Sequence, residues 1–232
     1  MNKYEIIKKI EDFAPILTAE LWDPSGWVVE TKHQDISKIM LCLTPTNNVV
    51  FQAKDYGCDM IVSHHPSFYV PVEWRDINIY SVHTNLDKAN GGTTDTLISA
   101  LELDKIRVNI EHEFLRLVKF PSGVAVDEFS KIISKKFPSA RIVNNKEIKS
   151  LSKVAFCAGS GSEFIEEAKE LGADCLVTGD LKFHTALDSE IVLYDIGHFE
   201  AEVLILPVLK QIIGDSVEII FAKEKSPFSP IC

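Results

Sequence analysis

The stretch AKDYGCDMIVS, residues 53–63, recurs 115 residues later as AKELGADCLVT, residues 168–178. Each copy reads as the end of a helix, a glycine, and a short apolar run. Gly57 and Gly172 sit where a helix C-cap glycine belongs. The runs DMIVS and DCLVT have the length and composition of buried strands. Working outward at the same spacing, ISKIMLC (36–42) falls on LSKVAFC (151–157) and Phe68 on Phe183. His83 falls on His198, and Asp87 on Glu202. Ten positions between 36 and 87 match their counterparts with no gap, where average composition gives roughly three by chance. An internal duplication, offset by about 115 residues, is the reading that this register favours over chance likeness.

Each half then has the same order. A buried strand (38–43; 153–158) is followed by a turn and a helix (about 47–56; about 162–171), then by a second strand. A third strand follows at NIYSV (78–82) and IVLYDI (191–196). Strand–helix–strand order predicts an α/β fold with parallel pairing and helices on the sheet faces. The predicted organisation is two similar α/β lobes, residues 1–118 and 119–232, packed as one body. In the middle, strands are expected at 105–110, 114–120 and 140–144, with a helix at 126–136. PSG at 121–123 reads as a turn and NNKEIK at 144–149 as a loop. The tail SPFSPIC reads as irregular.

The chain has 232 residues and a formal net charge of −10. That length supports a sizeable core. The negative balance speaks against a broad phosphate-backbone footprint, so nucleic acid is not an expected partner. No apolar run approaches a membrane span and MNKYEIIKKI has no signal-peptide core, so a cytoplasmic location is expected. The five cysteines, Cys42, Cys58, Cys157, Cys175 and Cys232, form no CxxC pair. They read as reduced and mostly buried rather than as a disulfide frame or thiolate zinc site.

Ligands of such sheets gather beyond the C-terminal strand ends. There the sequence places SHHP, with His64 and His65. It also places HTNLD, with His83 and Asp87 four apart, and GHFEAE, with His198 and Glu202 four apart. On a helix, residues four apart share a face, so each imidazole–carboxylate pair can aim at one spot. Mixed imidazole and carboxylate sets suit Zn, Mn, Fe, Ni or Co. His64 and His65 fall on Gly179 and Asp180, so the double histidine belongs to one half only. Asp180 and His184 in TGDLKFH sit at the matching strand end of the other half and are expected to line a cavity. AGSGSE (158–163) is a glycine loop before a helix. It reads more readily as a plain strand-to-helix turn than as a phosphate cradle, because the P-loop Lys-Ser/Thr signature is absent. WDPSGW (22–27) reads as a turn with packing tryptophans.

In order and spacing, SHHP, HTNLD followed by GGTTD, TGDLKFH and GHFEAE resemble the Nif-three-like family, homologues of type 2 GTP cyclohydrolase I. LWDPSGW (21–27) is similar to that family's WDN-x-G element. The resemblance spans nearly the whole chain and is to the short bacterial form. It implies two α/β lobes with a dinuclear metal site between them, and a ring-shaped homohexamer. It assigns the two metals to His64, His65, Asp87, His198 and Glu202. The sequence departs from the family at LTPT, where Thr44 replaces an Asp, at GGTTD, where Thr94 replaces an Asn, and at EHEF (111–114). None of these is among the five ligands. The expected function is a metal-dependent hydrolase acting on a nucleotide or related small molecule, with His83 as a proton carrier or as the residue that orients Asp87. The alternative is a non-enzymatic metal-binding scaffold or metal-handling protein that acts through partners. An enzyme requires an open coordination position and a cleft around His83 and His184, whereas a scaffold requires a closed, saturated site.

Overall fold

In the computed structural model, which describes residues 1–108 and 112–229, the chain forms two units. The first comprises Met1–Gly92 and Ile205–Lys225; the second comprises Thr93–Leu204 and the segment from Ser226. In the first, α1 (Lys3–Phe13) starts on a capping box. Asn2 Oδ1 accepts from Tyr4 N and Glu5 reaches back to Asn2 N, which satisfies donors that a helix start leaves open. Then come β1 (Gly26–Val29), β2 (Lys38–Cys42), α2 (Asn47–Asp55), β3 (Met60–Ser63), β4 (Asn78–Ser81) and α3 (Thr84–Lys88).

The second unit holds α4 (Thr93–Ala100), β5 (Arg107–Val108), β6 (Arg116–Ala125), α5 (Val126–Lys136), β7 (Arg141–Val143) and β8 (Ser150–Phe156). It continues through α6 (Ile165–Glu170), β9 (Cys175–Thr178), α7 (Phe183–Asp188), β10 (Val192–Asp195) and α8 (His198–Glu202). The chain then returns to the first unit as α9 (Leu206–Ile213) and β11 (Glu218–Phe221).

The fold is α/β, with one sheet per unit. The first sheet runs β1-β4-β3-β2-β11, antiparallel only at β1. The second runs β5-β6-β8-β9-β10-β7, with β8, β9 and β10 parallel and the outer strands antiparallel. In the second sheet, successive side chains divide strictly between two cores. Val154, Phe156, Cys175, Val177, Val192 and Tyr194 face Phe129 and Ile133 of α5. Ala155, Leu176 and Leu193 face Ile165 and Ala168 of α6. A sheet buried on both faces needs apolar runs without polar alternation, and KVAF, CLVT and VLYD supply them. In the first unit, α2 covers Met40, Cys42, Ile61 and Ile79.

The two units repeat their hydrogen bonding in detail. Leu41 pairs with Val62, and Phe156 with Val177, 115 residues on. Asp59 accepts from the backbone N–H groups of Ser37 and Lys38, and Asp174 from those of Ser152 and Lys153. Lys38 Nζ donates to the Tyr56 carbonyl, and Lys153 Nζ to that of Leu171. The gap-free register fails at the third strand. Ile61 pairs with Ile79, but Leu176 pairs with Leu193, so the spacing there is 114 and Tyr80 corresponds to Tyr194. His83 and His198 are therefore not at matching points. His83 is the residue before α3, whereas His198 is the first residue of α8 and Gly197 holds the preceding place.

The middle region differs from the sequence reading in two places. Residues expected to begin a strand at 105 form a 3₁₀ turn, Asp104–Ile106, and only Arg107–Val108 pair; residues 109 and 110 lie outside the described set. PSG at 121–123 does not end a strand. It lies within β6, where the register against β8 shifts between Lys119 and Val124 and Gly123 takes φ +73°. A proline without an N–H and a left-handed glycine are tolerated in a strand at such an irregularity.

Candidate metal centre

In the first unit the site grows from the end of β3. The strand stops at Ser63, and the next two residues are held by backbone N–H groups donating to Cys42 and Leu43 carbonyls at 3.2 and 2.8 Å. Their rings lie 4.9 Å apart, centroid to centroid. His83 enters after β4, its ring 5.1 Å from that of His64 and 5.4 Å from that of His65. One ring nitrogen from each of the three lies within 4.8 Å of the others, a spacing that a single ion can bridge. Asp87, on the first turn of α3, places Oδ1 3.5 Å from His64 Nε2. His64 is fully buried and the others partly so.

In the second unit, His198 and Glu202 lie on α8 with Nε2 and Oε2 2.9 Å apart. The four-residue spacing works because this segment is helical. Asp180, in the left-handed region at φ +55°, puts Oδ2 2.7 Å from His198 Nδ1. Burial opposes the charged imidazole, but Glu202 and then Asp180 outweigh it and push His198 up to about 9. A metal taking Nε2 must therefore displace a proton. His184 lies exposed on α7 beside Phe183.

The loop AGSGSE has a steric task. A Cβ at Gly159 would lie 2.0 Å from Glu202 Oε1, so only glycine leaves room for that carboxylate. Gly161 N donates to Thr178 Oγ1 at 2.8 Å, and Thr178 donates on to the Gly159 carbonyl. The Gly161 N–H is thus spent inside the fold.

His64, His65, His83 and His198 each have a polar neighbour at Nδ1. His64 Nδ1–H donates to the Val82 carbonyl at 2.9 Å, and His65 Nδ1 is 2.7 Å from Thr44 Oγ1. His83 Nδ1 is 3.2 Å from Asp23 Oδ1, and His198 Nδ1–H donates to Asp180. An outer partner on one nitrogen fixes the ring and turns the other nitrogen toward the site, as ligand or as proton acceptor. The donor set thus fits a borderline divalent metal. Sequence reading missed three contributors to this layer. Asp23, in the WDPSGW turn, has a fully buried side chain; Trp27 packs edge-on against Tyr80, but Trp22 is 61% exposed and lies against His83. Thr44 appeared only as a departure from a pattern. Glu224 accepts from the Leu43 and Thr44 N–H groups at 2.7 and 3.0 Å and so anchors that loop; burial raises its carboxyl. Only the buried aspartate in the tryptophan turn carried a sequence signal, its likeness to WDN-x-G.

Among described residues no helix is long and apolar enough to cross a membrane. A family model described as Duf34/NIF3 (NGG1p interacting factor 3) matches residues 1–227. A GTP cyclohydrolase 1 type 2 homolog of Clostridium perfringens is 32% identical, covering 98% of this chain and 99% of its own. Among solved structures, reduced HcgD from Methanocaldococcus jannaschii has a TM-score of 0.83 at 28% identity, covering 97% of this chain and 98% of its own. A Bacillus cereus protein related to NIF3 has a TM-score of 0.86 at 19% identity, over 100% and 99%, and speaks for the fold alone.

Proposed function

The chain belongs to the Duf34/NIF3 (NGG1p interacting factor 3) family, and from that premise we propose that it is a dinuclear metal-dependent hydrolase acting on a nucleotide or related small molecule. The ligands are His64, His65, Asp87, His198 and Glu202. The observation that carries the reading is the shared arrangement of the ligand imidazoles, each with Nδ1 occupied by an outer partner. Surface histidines have no need of that arrangement. Bound metal would supply a water of lowered pKa and polarise the substrate's electrophile. The protein's share is to orient the rings, exclude bulk water from His64 and Glu202, and accept a proton at His83. The name carried by the Clostridium perfringens relative makes the guanine ring of GTP the first substrate to try. The family resemblance also supports a cytoplasmic homohexameric ring.

The test is metal content per chain after purification without added metal, and again after reconstitution with Zn, Mn, Fe, Ni or Co salts. About two equivalents are expected in the wild type, with loss in His64→Ala/His65→Ala and in His198→Ala/Glu202→Gln. GTP turnover is then followed on the loaded protein. A wild type that holds no metal after reconstitution overturns the reading. Full metal with no turnover of GTP or other nucleotides removes the hydrolase and leaves a metal-binding protein.

A further inference from the structure

We propose that Asp23 is a positioning residue that fixes His83 in the tautomer protonated on Nδ1, so that Nε2 is the acceptor this ring presents beside His64 and His65. The inference rests on the metal-centre reading and goes beyond it, because Asp23 is not a ligand and lies in a turn far from the histidine motifs in sequence.

Two oxygens of one carboxylate do different jobs here. Oδ2 accepts from Thr84 N at 3.0 Å, from Thr84 Oγ1, and from Ser25 Oγ at 2.8 Å. Those bonds tie the 23–25 turn to the start of α3 and would suffice for a structural role. Oδ1 takes no part in them. It faces His83 Nδ1 at 3.2 Å, and both atoms are buried without a well-aligned hydrogen bond to any group among the described residues. Two buried polar atoms in that state belong to each other, since leaving either unsatisfied is costly. Burial works against the Asp23 carboxylate, but the bonds from His83 and Thr84 outweigh it and hold the carboxyl well below its ordinary range. An ionised carboxylate can only accept, so the hydrogen between the pair sits on Nδ1. His83 is held from its backbone too, its N–H facing Ser25 Oγ at 3.2 Å and Asn85 Oδ1 at 3.1 Å. The result is a rigid ring with a fixed acceptor nitrogen, suited to a hydrogen-bond donor such as a water or hydroxyl held near His64 and His65.

Asp23→Asn separates this role from a structural one. Three donors converge on the Oδ2 position and one on Oδ1. The asparagine oxygen is therefore drawn to the first, and its NH₂ is turned toward His83. An NH₂ facing Nδ1 forces the proton to Nε2, the wrong-tautomer effect known from carboxylate–histidine pairs in hydrolases. The readout is the ¹⁵N–¹H long-range spectrum of histidine-labelled full chain, apo and zinc-loaded, with His83 assigned by its loss in His83→Gln. The wild type is expected to show a protonated Nδ1 and a bare Nε2, and Asp23→Asn to exchange the two shifts. Ser25→Ala removes one donor from Oδ2 and one of the two acceptors facing the His83 N–H but leaves Oδ1 and Asn85 in place, so the wild-type pattern should persist. A wild-type His83 protonated on Nε2, or an Asp23→Asn spectrum unchanged from wild type, overturns the proposal. Should Asp23→Asn fail to fold, the wild-type spectrum alone decides. Failure of the metal-centre reading would show separately, as absence of metal, while the tautomer stays readable in the apo protein.

Discussion

Gly159→Ala should damage the second unit far more than an ordinary loop substitution. The residue has φ +70°, where an L side chain costs about 1–2 kcal/mol. The new Cβ would also lie 2.0 Å from Glu202 Oε1 and 2.9 Å from its Cδ. The Glu202 side chain is only 5% exposed and sits 2.9 Å from His198 Nε2, so it cannot swing into water without losing that partner. Breaking a hydrogen bond to a charged group adds about 1.5–3 kcal/mol. The total is about 2.5–5 kcal/mol. Gly172→Ala is the control in the same unit. Its φ is +74°, and the nearest atom to its Cβ is Lys153 Nζ at 3.2 Å, the movable end of a side chain. It should cost only the backbone share, about 1–2 kcal/mol. Urea denaturation followed by circular dichroism, with metal content in parallel, measures both. Gly159→Ala is expected to lose about 1.5–3 kcal/mol more than Gly172→Ala, and metal with it. Equal losses and full metal in both would refute the assigned task of this glycine.

Thr44→Val keeps the shape and removes the hydroxyl on His65 Nδ1; metal affinity should fall about 10–100-fold with the fold intact, checked by chelator competition. Burial opposes ionisation of Asp59, but bonds from Ser37 and Lys38 lower its carboxyl below the ordinary value. Its contribution is therefore present above the unfolded pKa, about 3.9, and lost as pH falls through the folded one. Asp59→Asn should cost stability at neutral pH and progressively less in acid, and a pH-independent cost in urea titrations would contradict this. Burial pushes the Cys42 and Cys175 thiols up, and Cys58 to about 11. A thiol reagent should label these slowly until urea is added, and rapid labelling of the native protein would show the burial to be wrong.

Periodicity and glycine placement were enough to locate most of the elements. The α5 helix was read at its observed bounds because VDEFSKIISKK is amphipathic and ends on lysines. The second strands followed from short apolar runs after Gly57 and Gly172. The third strands lie where the sequence places them, but the gap-free alignment that matches His83 with His198 sets them one residue out of the register that the sheets show. Pairing is a property of the sheet, and a single-residue slip leaves an apolar run looking the same. The histidines of the expected ligand set stand out in the sequence because imidazole at a strand end is chemically conspicuous; the assignment of five ligands comes from the family resemblance. Their supports do not stand out. Asp23, Thr44 and Glu224 come from three separate segments, and a threonine or glutamate in a loop carries no sign of which ring or backbone it will meet.

The first sheet is completed by a strand that arrives late. β11 pairs in parallel with β2, yet it follows β2 in the chain by about 175 residues. On a ribosome adding about 5–20 residues per second, the nascent β2 edge waits roughly 9–35 s for its neighbour. KIMLC is apolar and short of charge, the kind of edge that invites foreign strands. Thr93–Leu204, the bulk of the second unit, emerges during that interval as one contiguous segment and can fold before the first unit is closed. Slowing translation between residues 93 and 204 lengthens the exposure of β2 without altering a single native contact. Yield in a cell thus depends on the timing of synthesis and on chaperone cover, as well as on the stability of the finished fold.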